Sequence, residues 1–500
     1  MKISKGMIGF KSMCLFLLVI IVYLTTAYNS TGYYHADEQY QVIEFAGLKS
    51  GTHQPSDLAW EFHKKIRSMI QPTLCFIVFG GLKAVNITDP YNQAFVLRLI
   101  SALFSLIAIW FFIRSTYGMV DEKYRLSYCL LSFLLWFVPL IGVRFSSETW
   151  SGLFFLCGLS LQFNQNIKRG KTYWIGVLFG LSFLFRFQIA FAILGFCLWL
   201  LFINKTRVKD VFKIVFGFLV ILAFGVLIDF WFYGQWVFSP WNYFYSNIVE
   251  DAASSFGVSP WGYYFQQIAI MPSLLIGIII FCAILVLILF KYNHFSVWII
   301  IPFILIHSLI PHKEERFLFP LVFLLPLMFM VSYQTVINLI HSNIIKKGLK
   351  YLLISFFVII NTIGLVAVSQ KSAGMGRMKI TQYIHDNYKE KHINLIHCSW
   401  ANPYNPWHGL PTKFYLEKNM NCKRINSLCE LNDSLIMHDA VNLLITRKVD
   451  LQDQSCVGKI KEQGFVFKAQ SIQPWIEKLN VYYKGINGDD ILMLYAYKGN

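Results

Sequence analysis

LLIGIIIFCAILVLILF-KYNH-FSVWIIIPFILIHSLIP-HKEER-FLFPLVFLLPLMFM, residues 274–330, decides the fold class. Three apolar runs follow one another, separated only by Lys291–His294 and by the charged step His312–Arg316. Runs of this length either cross a bilayer or fill the core of a large domain. Composition removes the second option, because 56% of the 500 residues are hydrophobic and only 14% are charged. Soluble domains carry about 25% charged residues. The chain therefore reads as an α-helical polytopic membrane protein.

Working outward, apolar runs recur at about 12–28, 93–113, 127–143, 147–165, 173–187, 188–203, 212–233, 267–290, 295–311, 317–333 and 351–369, eleven in all. With the amino end inside, the cytoplasmic segments hold 17 of the 44 Lys and Arg but 3 of the 27 acids. That bias is the positive-inside pattern, so the net charge of +17 points to topology and not to nucleic acid. A further run at 70–85 carries Pro72, Gly80, Gly81 and Lys83. Were it to cross, every later loop would invert, so a short interfacial or re-entrant helix is expected there, with a second amphipathic one over 57–69. Lys2, Lys5 and Lys11 before the first run read as the start of a retained membrane anchor. The expected organisation is a membrane domain at 1–370 and a small α/β extracytoplasmic domain at 371–500, with strand-like runs INLIHC, VNLLITR, FVFKA and ILMLYAY. Cys398, Cys422, Cys429 and Cys456 fall in that domain and have several possible pairings.

The same sorting gathers the acids of the short loops on the outer face. Asp37 and Glu38 in HADEQYQ (35–41) follow a first run without charge from Ser12 to Ala36. Acids at a helix exit are functional candidates, here for a general base, although a plain solvated helix end is the simple alternative. HKEERF at 312–317 offers His312, Lys313 and Arg316 as an anion site, against the alternative of a solvated turn. Arg186, with Gln188 beside it, interrupts an apolar stretch and either snorkels or faces a polar cavity. Arg144 and Glu148 sit at another outer turn, and Trp241 lies in an aromatic loop, WFYGQWVFSPWNYFYSN, that suits an interfacial belt or sugar stacking. No Gly-rich phosphate loop and no HExxH zinc motif occurs in the sequence.

The His-x-Asp-Glu run after the first span and HKEERFLFP late in the membrane region resemble glycosyltransferase family 22 of the GT-C superfamily. The loop DFWFYGQWVFSPWNYFYSNIVEDAASSFGVSPWGYY and HCSWANPYNPWHG (397–409) are similar to the branch that adds the third mannose of the glycosylphosphatidylinositol anchor. The resemblance implies a GT-C fold and inverting transfer of mannose from a polyprenyl- or dolichyl-phosphate donor to a glycolipid or glycan hydroxyl, giving an α-mannoside. It implies Asp37 as general base with Glu38 shaping the site, and His312, Lys313 and Arg316 at the donor phosphate. Arg186 and Gln188 are candidate further contacts, and His35, Glu148 and Trp241 candidate substrate residues. Ala36 stands where members often carry proline. No metal or cofactor is required by such a displacement, and no nucleic-acid partner is expected. The site would face the lumen of the endoplasmic reticulum in a eukaryote or the periplasm in a bacterium. Two alternatives are a GT-C transferase of another lipid-linked sugar and a multi-pass transporter; the latter would place charges at mid-membrane and show repeat symmetry.

Overall fold

The structure is a computed structural model that describes residues 10–167, 170–406, 409–483 and 486–499. Lys2, Lys5, Lys168 and the Trp407–His408 end of the HCSWANPY motif lie outside the described residues. Each of the eleven apolar runs is helical, but two of the runs are broken. The 127–143 run divides at Leu135–Trp136, and the 267–290 run divides beside Pro272, where Ser273 takes φ +83°. Among the described residues three helices are long and apolar enough to cross a membrane: Pro90–Met119, Val208–Tyr233 and Glu315–Leu339. Two further pairs are bent, Leu274–Phe290 with Phe295–Leu309 at 119° and Phe357–Gln370 with Gly374–Tyr388 at 44°. Ile70–Ala84 is a 15-residue helix; at 1.5 Å per residue it is about 22 Å long, shorter than a hydrocarbon core of about 30 Å. The amphipathic helix expected over 57–69 is reduced to Trp60–Lys64, because Lys65 turns into the left-handed region at φ +53°.

Backbone contacts divide the chain into two units, Met1–Thr25 with Lys64–Leu74 and Arg98–Ser369, and Thr26–His63 with Cys75–Leu97 and Gln370–Asn500. The second unit thus takes in two N-terminal segments besides the C-terminal residues. Among the described residues every regular element of the first unit is a helix, and its core is built from Leu153, Phe155, Phe179, Phe196, Phe303 and Leu327. Its helices approach closely at small residues. A Cβ on Gly152 would lie 2.6 Å from the Pro320 carbonyl oxygen, so only glycine lets helix Ser147–Phe163 and the 315–324 segment meet there.

The second unit carries a five-stranded sheet in the order β2-β1-β3-β5-β4. Its strands are β1 (Ile393–Cys398), β2 (Met420–Ile425), β3 (Val441–Arg447), β4 (Phe465–Gln470) and β5 (Leu492–Tyr497). β1 runs parallel to both β2 and β3, whereas β5 pairs antiparallel with β3 and with β4. The continuous apolar sequences of β1 and β3 suit central strands covered on both faces, and both are buried along nearly their whole length. Cys429 is disulfide-bonded to Cys456 across a separation of 27 residues, while Cys398 and Cys422 are free thiols. Closing a loop of that length stabilises by about 3–4 kcal/mol. The double variant Cys429→Ser/Cys456→Ser is expected to melt several degrees lower than the parent by scanning fluorimetry. Equal melting temperatures would rule out a structural contribution from the bridge.

Candidate active site

In the second unit the HADE run forms a compact turn. His35 caps a three-residue helix, Ala36–Glu38: its Nδ1 accepts from the Asp37 backbone N–H at 3.3 Å and lies 3.5 Å from the Asp37 carboxylate. A π-turn, Gln39–Ile43, follows directly, a wide-ring geometry that recurs at functional sites. Asp37 remains partly open, with 16% of its side chain exposed, while Glu38 is buried. The turn is braced from behind by Glu44, which is buried, accepts from the Gln39 side-chain amide at 2.6 Å and pairs with His53. His53 reaches Glu44 over Gly47, where a Cβ would stand 2.1 Å from its ring. Nothing in the sequence spacing marks Glu44 and His53 as partners; their burial together does.

In the first unit four of the candidate residues converge. Glu148 lies in the first turn of helix Ser147–Phe163, where the helix dipole favours an acid and Ser146 caps the end by accepting from Thr149 N–H at 3.2 Å. Its Oε1 accepts from Arg316 Nη1 at 2.9 Å and faces Arg186 Nη1 at 3.2 Å. All three side chains are buried. Arg316 Nε donates to Glu314, whose other oxygen meets His312 Nε2 at 2.9 Å. The result is a chain of alternating charge, His312–Glu314–Arg316–Glu148–Arg186. Both guanidinium groups also flank the Phe317 ring, at 4.8 and 5.4 Å from its centroid. Two guanidinium groups meet on one buried carboxylate at the Arg186 end, and such groups are suited to gripping an anion bidentately.

Lys313 is buried with its Nζ on the carbonyls of Ser259 (2.9 Å) and Pro311 (3.4 Å), and burial pulls its pKa below the ordinary lysine value. Gln188 stays beside Arg186 by way of Tyr243, and Trp241 lies in the same aromatic loop as Tyr243. Gln188 donates to the Tyr243 hydroxyl, and Trp241 is exposed and packs against Phe244 and Tyr245 in the aromatic loop. That loop is tied down by Asp229, which accepts from Met69 N–H at 2.7 Å and from the Ser239 hydroxyl at 2.6 Å.

The hydrogen bond that His312 donates to the Glu314 carboxylate raises the pKa of His312. A group whose folded pKa is raised contributes stability that is complete below its ordinary value near 6.5 and is lost as pH rises through the folded value. His312→Gln is therefore expected to destabilise the protein most at pH 6 and least at pH 9. A difference independent of pH over that range would show that the imidazolium contributes nothing.

The GPI mannosyltransferase 3 of Yarrowia lipolytica is 24% identical over 336 residues, 64% of this chain and 62% of its own length. Mannosyltransferase APTG1 of Arabidopsis thaliana is 24% identical over 318 residues, 61% of this chain and 56% of its own. The chain thus matches about three fifths of the length of these curated relatives. Among solved structures, ArnT from Cupriavidus metallidurans bound to undecaprenyl phosphate is similar over 97% of this chain and 98% of its own, with a TM-score of 0.50 at 11% identity. That likeness bears on the fold alone, and it agrees with a GT-C-type helical membrane protein carrying a small C-terminal sheet. The profile of the Alg9-like mannosyltransferases matches residues 14–417, and the chain belongs to that family.

Proposed function

We propose that the protein is an inverting membrane mannosyltransferase that moves mannose from a polyprenyl- or dolichyl-phosphate donor to a hydroxyl of a glycolipid or glycan, giving an α-mannoside. The observation that carries the reading is the HADE turn within the stretch matched by the family profile, with Asp37 partly exposed and its neighbour Glu38 buried. In a single displacement the acceptor hydroxyl loses its proton as it attacks the anomeric carbon and the phosphate leaves. Asp37 takes that proton as general base. Charge growing on the leaving phosphate is met by cations held in advance, the role assigned to Arg186 and Arg316, with His312 and Lys313 in support. Their existing bonds to Glu148 and Glu314 keep the guanidinium groups fixed, so no reorganisation is needed when the phosphate arrives.

The ArnT structure, solved with undecaprenyl phosphate, supports a lipid-phosphate carrier as the donor class. The relatives' name supports a glycolipid acceptor of the anchor type. The Cys429–Cys456 bridge supports an oxidising compartment for the second unit, hence the lumenal face of the endoplasmic reticulum or the periplasmic face of a bacterial membrane. The reading is tested by incubating purified protein in lipid nanodiscs with synthetic polyprenyl-phosphate mannose and a mannosylated glycolipid. Appearance of an α-linked product is the expected result; hexose transfer only from a different lipid-linked sugar would replace mannose in the reading.

A further inference from the structure

The pattern Asn-x-Ser/Thr, the acceptor signal for N-linked glycans, occurs four times in the chain: Asn29–Thr31, Asn86–Thr88, Asn204–Thr206 and Asn432–Ser434. The fold sorts them. Asn204 belongs to the first unit and stands among Lys205, Arg207, Lys209 and Lys213, in a segment expected on the cytoplasmic side. The other three belong to the second unit. Ser30 and Thr31 are buried, and the Thr31 hydroxyl donates to the Gln382 side chain at 3.3 Å, so the first of them is closed to modification. Asn432 is exposed, but its side chain is already engaged. Its Nδ2 donates to the Glu430 carbonyl at 3.0 Å, and its oxygen accepts from Ser434 N–H at 3.0 Å and from the Ser434 hydroxyl at 2.5 Å.

Asn86 carries none of these obstacles. It follows helix Ile70–Ala84 and takes the left-handed conformation at φ +62° that asparagine tolerates at a helix end, with its N–H on the Lys83 carbonyl at 3.0 Å. Val85, Asn86, Ile87 and Thr88 are all exposed, and among the described residues neither the Asn86 side-chain amide nor the Thr88 hydroxyl meets a hydrogen-bond partner. The turn is nonetheless firmly based. The Gln93 side chain donates to the Ile87 carbonyl at 2.9 Å, and the Asp89 carboxylate meets the Asn92 N–H at 2.8 Å and His385 Nε2 at 2.7 Å. The same unit holds the Cys429–Cys456 bridge, which supports an oxidising compartment of the kind in which N-linked glycans are attached.

We propose that Asn86 is an N-glycosylation site, taking an oligosaccharide from a lipid-diphosphate carrier by way of a separate transferase. The Asn86 Nδ2 attacks the anomeric carbon of the carried sugar, and the new C–N bond forms as the bond from that carbon to the diphosphate oxygen breaks. The lipid diphosphate leaves with the bonding electrons, and the amide nitrogen gives up one proton to a base of that transferase. The site rests on the outward placement of the second unit in the proposed function, and it adds a constraint to the topology. With the first run crossing outward, Asn86 is modified only where the 70–85 run returns to the outer side without crossing.

Translating the full chain with endoplasmic-reticulum microsomes and digesting the product with peptide-N-glycosidase tests the site. The parent should gain one step of mobility on gels after digestion. That step should vanish in Asn86→Gln and in Thr88→Ala, whereas Thr88→Ser keeps it. Asn29→Gln, Asn204→Gln and Asn432→Gln should each shift like the parent. A parent whose mobility the glycosidase leaves unchanged, or an Asn86→Gln variant that still shifts by the same step, overturns the inference. A second chain, carrying a flexible tail with its own Asn-Gly-Thr after residue 500, separates two levels of failure. Modification of the tail but not of Asn86 leaves the outward placement standing while the glycan site fails. Modification of neither removes the outward placement as well.

Discussion

Asp37→Asn is expected to lower mannosyl transfer by roughly two orders of magnitude or more while leaving the protein folded and able to bind donor. The substitution is nearly isosteric, and the contact that organises the turn uses the Asp37 backbone N–H on His35 Nδ1, which an asparagine retains. The proton-accepting oxygen is lost, together with the negative charge that lies 3.5 Å from His35 Nδ1. The neighbouring acid does not replace it. Glu38 is buried on the same short helix, and its side chain leaves from the next position around the turn. Initial rates with synthetic donor, together with donor affinity measured on the same preparations, distinguish the outcomes. Loss of turnover at unchanged affinity supports general-base catalysis. Parent-like turnover removes Asp37 from the chemistry, and a joint loss of affinity and melting temperature would make it structural.

Much of this was legible in the residues because membrane segments and buried strands declare themselves by continuous apolarity. The runs around 274–330 and the INLIHC and VNLLITR strands needed no tertiary information, and all are found as helix or strand. β2, MNCKRI, was not legible: it is an edge strand with Asn421, Lys423 and Arg424, held by parallel pairing to β1. The helix breaks at Lys65 and Ser273 were equally hidden, since neither lysine nor serine advertises a positive φ. Among the candidate residues, the cations of HKEER were visible as charge between apolar runs, but their partner was not. Glu148 lies 168 residues from Arg316 in the chain, and the two segments approach closely at Gly152, a meeting that spacing in the sequence does not announce. The membership of Thr26–His63 and Cys75–Leu97 in the unit of the C-terminal sheet was likewise invisible, because it depends on contacts such as His385 with Asp89 at 2.7 Å.

Glu148→Ala is expected to be the most destabilising single change in the first unit. The carboxylate is 3% exposed, and the two guanidinium groups that share it are 3% and 5% exposed. Removing one member of a buried ion network costs on the order of 3–5 kcal/mol, because the remaining charges are left desolvated without compensation. Here the penalty falls unevenly. Arg316 keeps its bond to Glu314, whereas Arg186 loses the carboxylate it faces at 3.2 Å and is also left beside a like charge. Glu148→Gln retains an acceptor oxygen and should be milder. The double variant Glu148→Gln/Arg186→Gln, which removes one charge of each sign, should be more stable than Glu148→Ala despite carrying two substitutions. Melting temperatures of the four proteins in one detergent test the order. An anion adds a second axis: inorganic pyrophosphate should raise the melting temperature of Glu148→Gln more than that of the parent, because it supplies the negative charge the two arginines have lost. If Glu148→Ala melts like the parent, the shared carboxylate is not what holds the arginines. If the single variants are destabilised but pyrophosphate moves neither them nor the parent, the cluster is a structural brace and the proposed phosphate role of Arg186 and Arg316 falls.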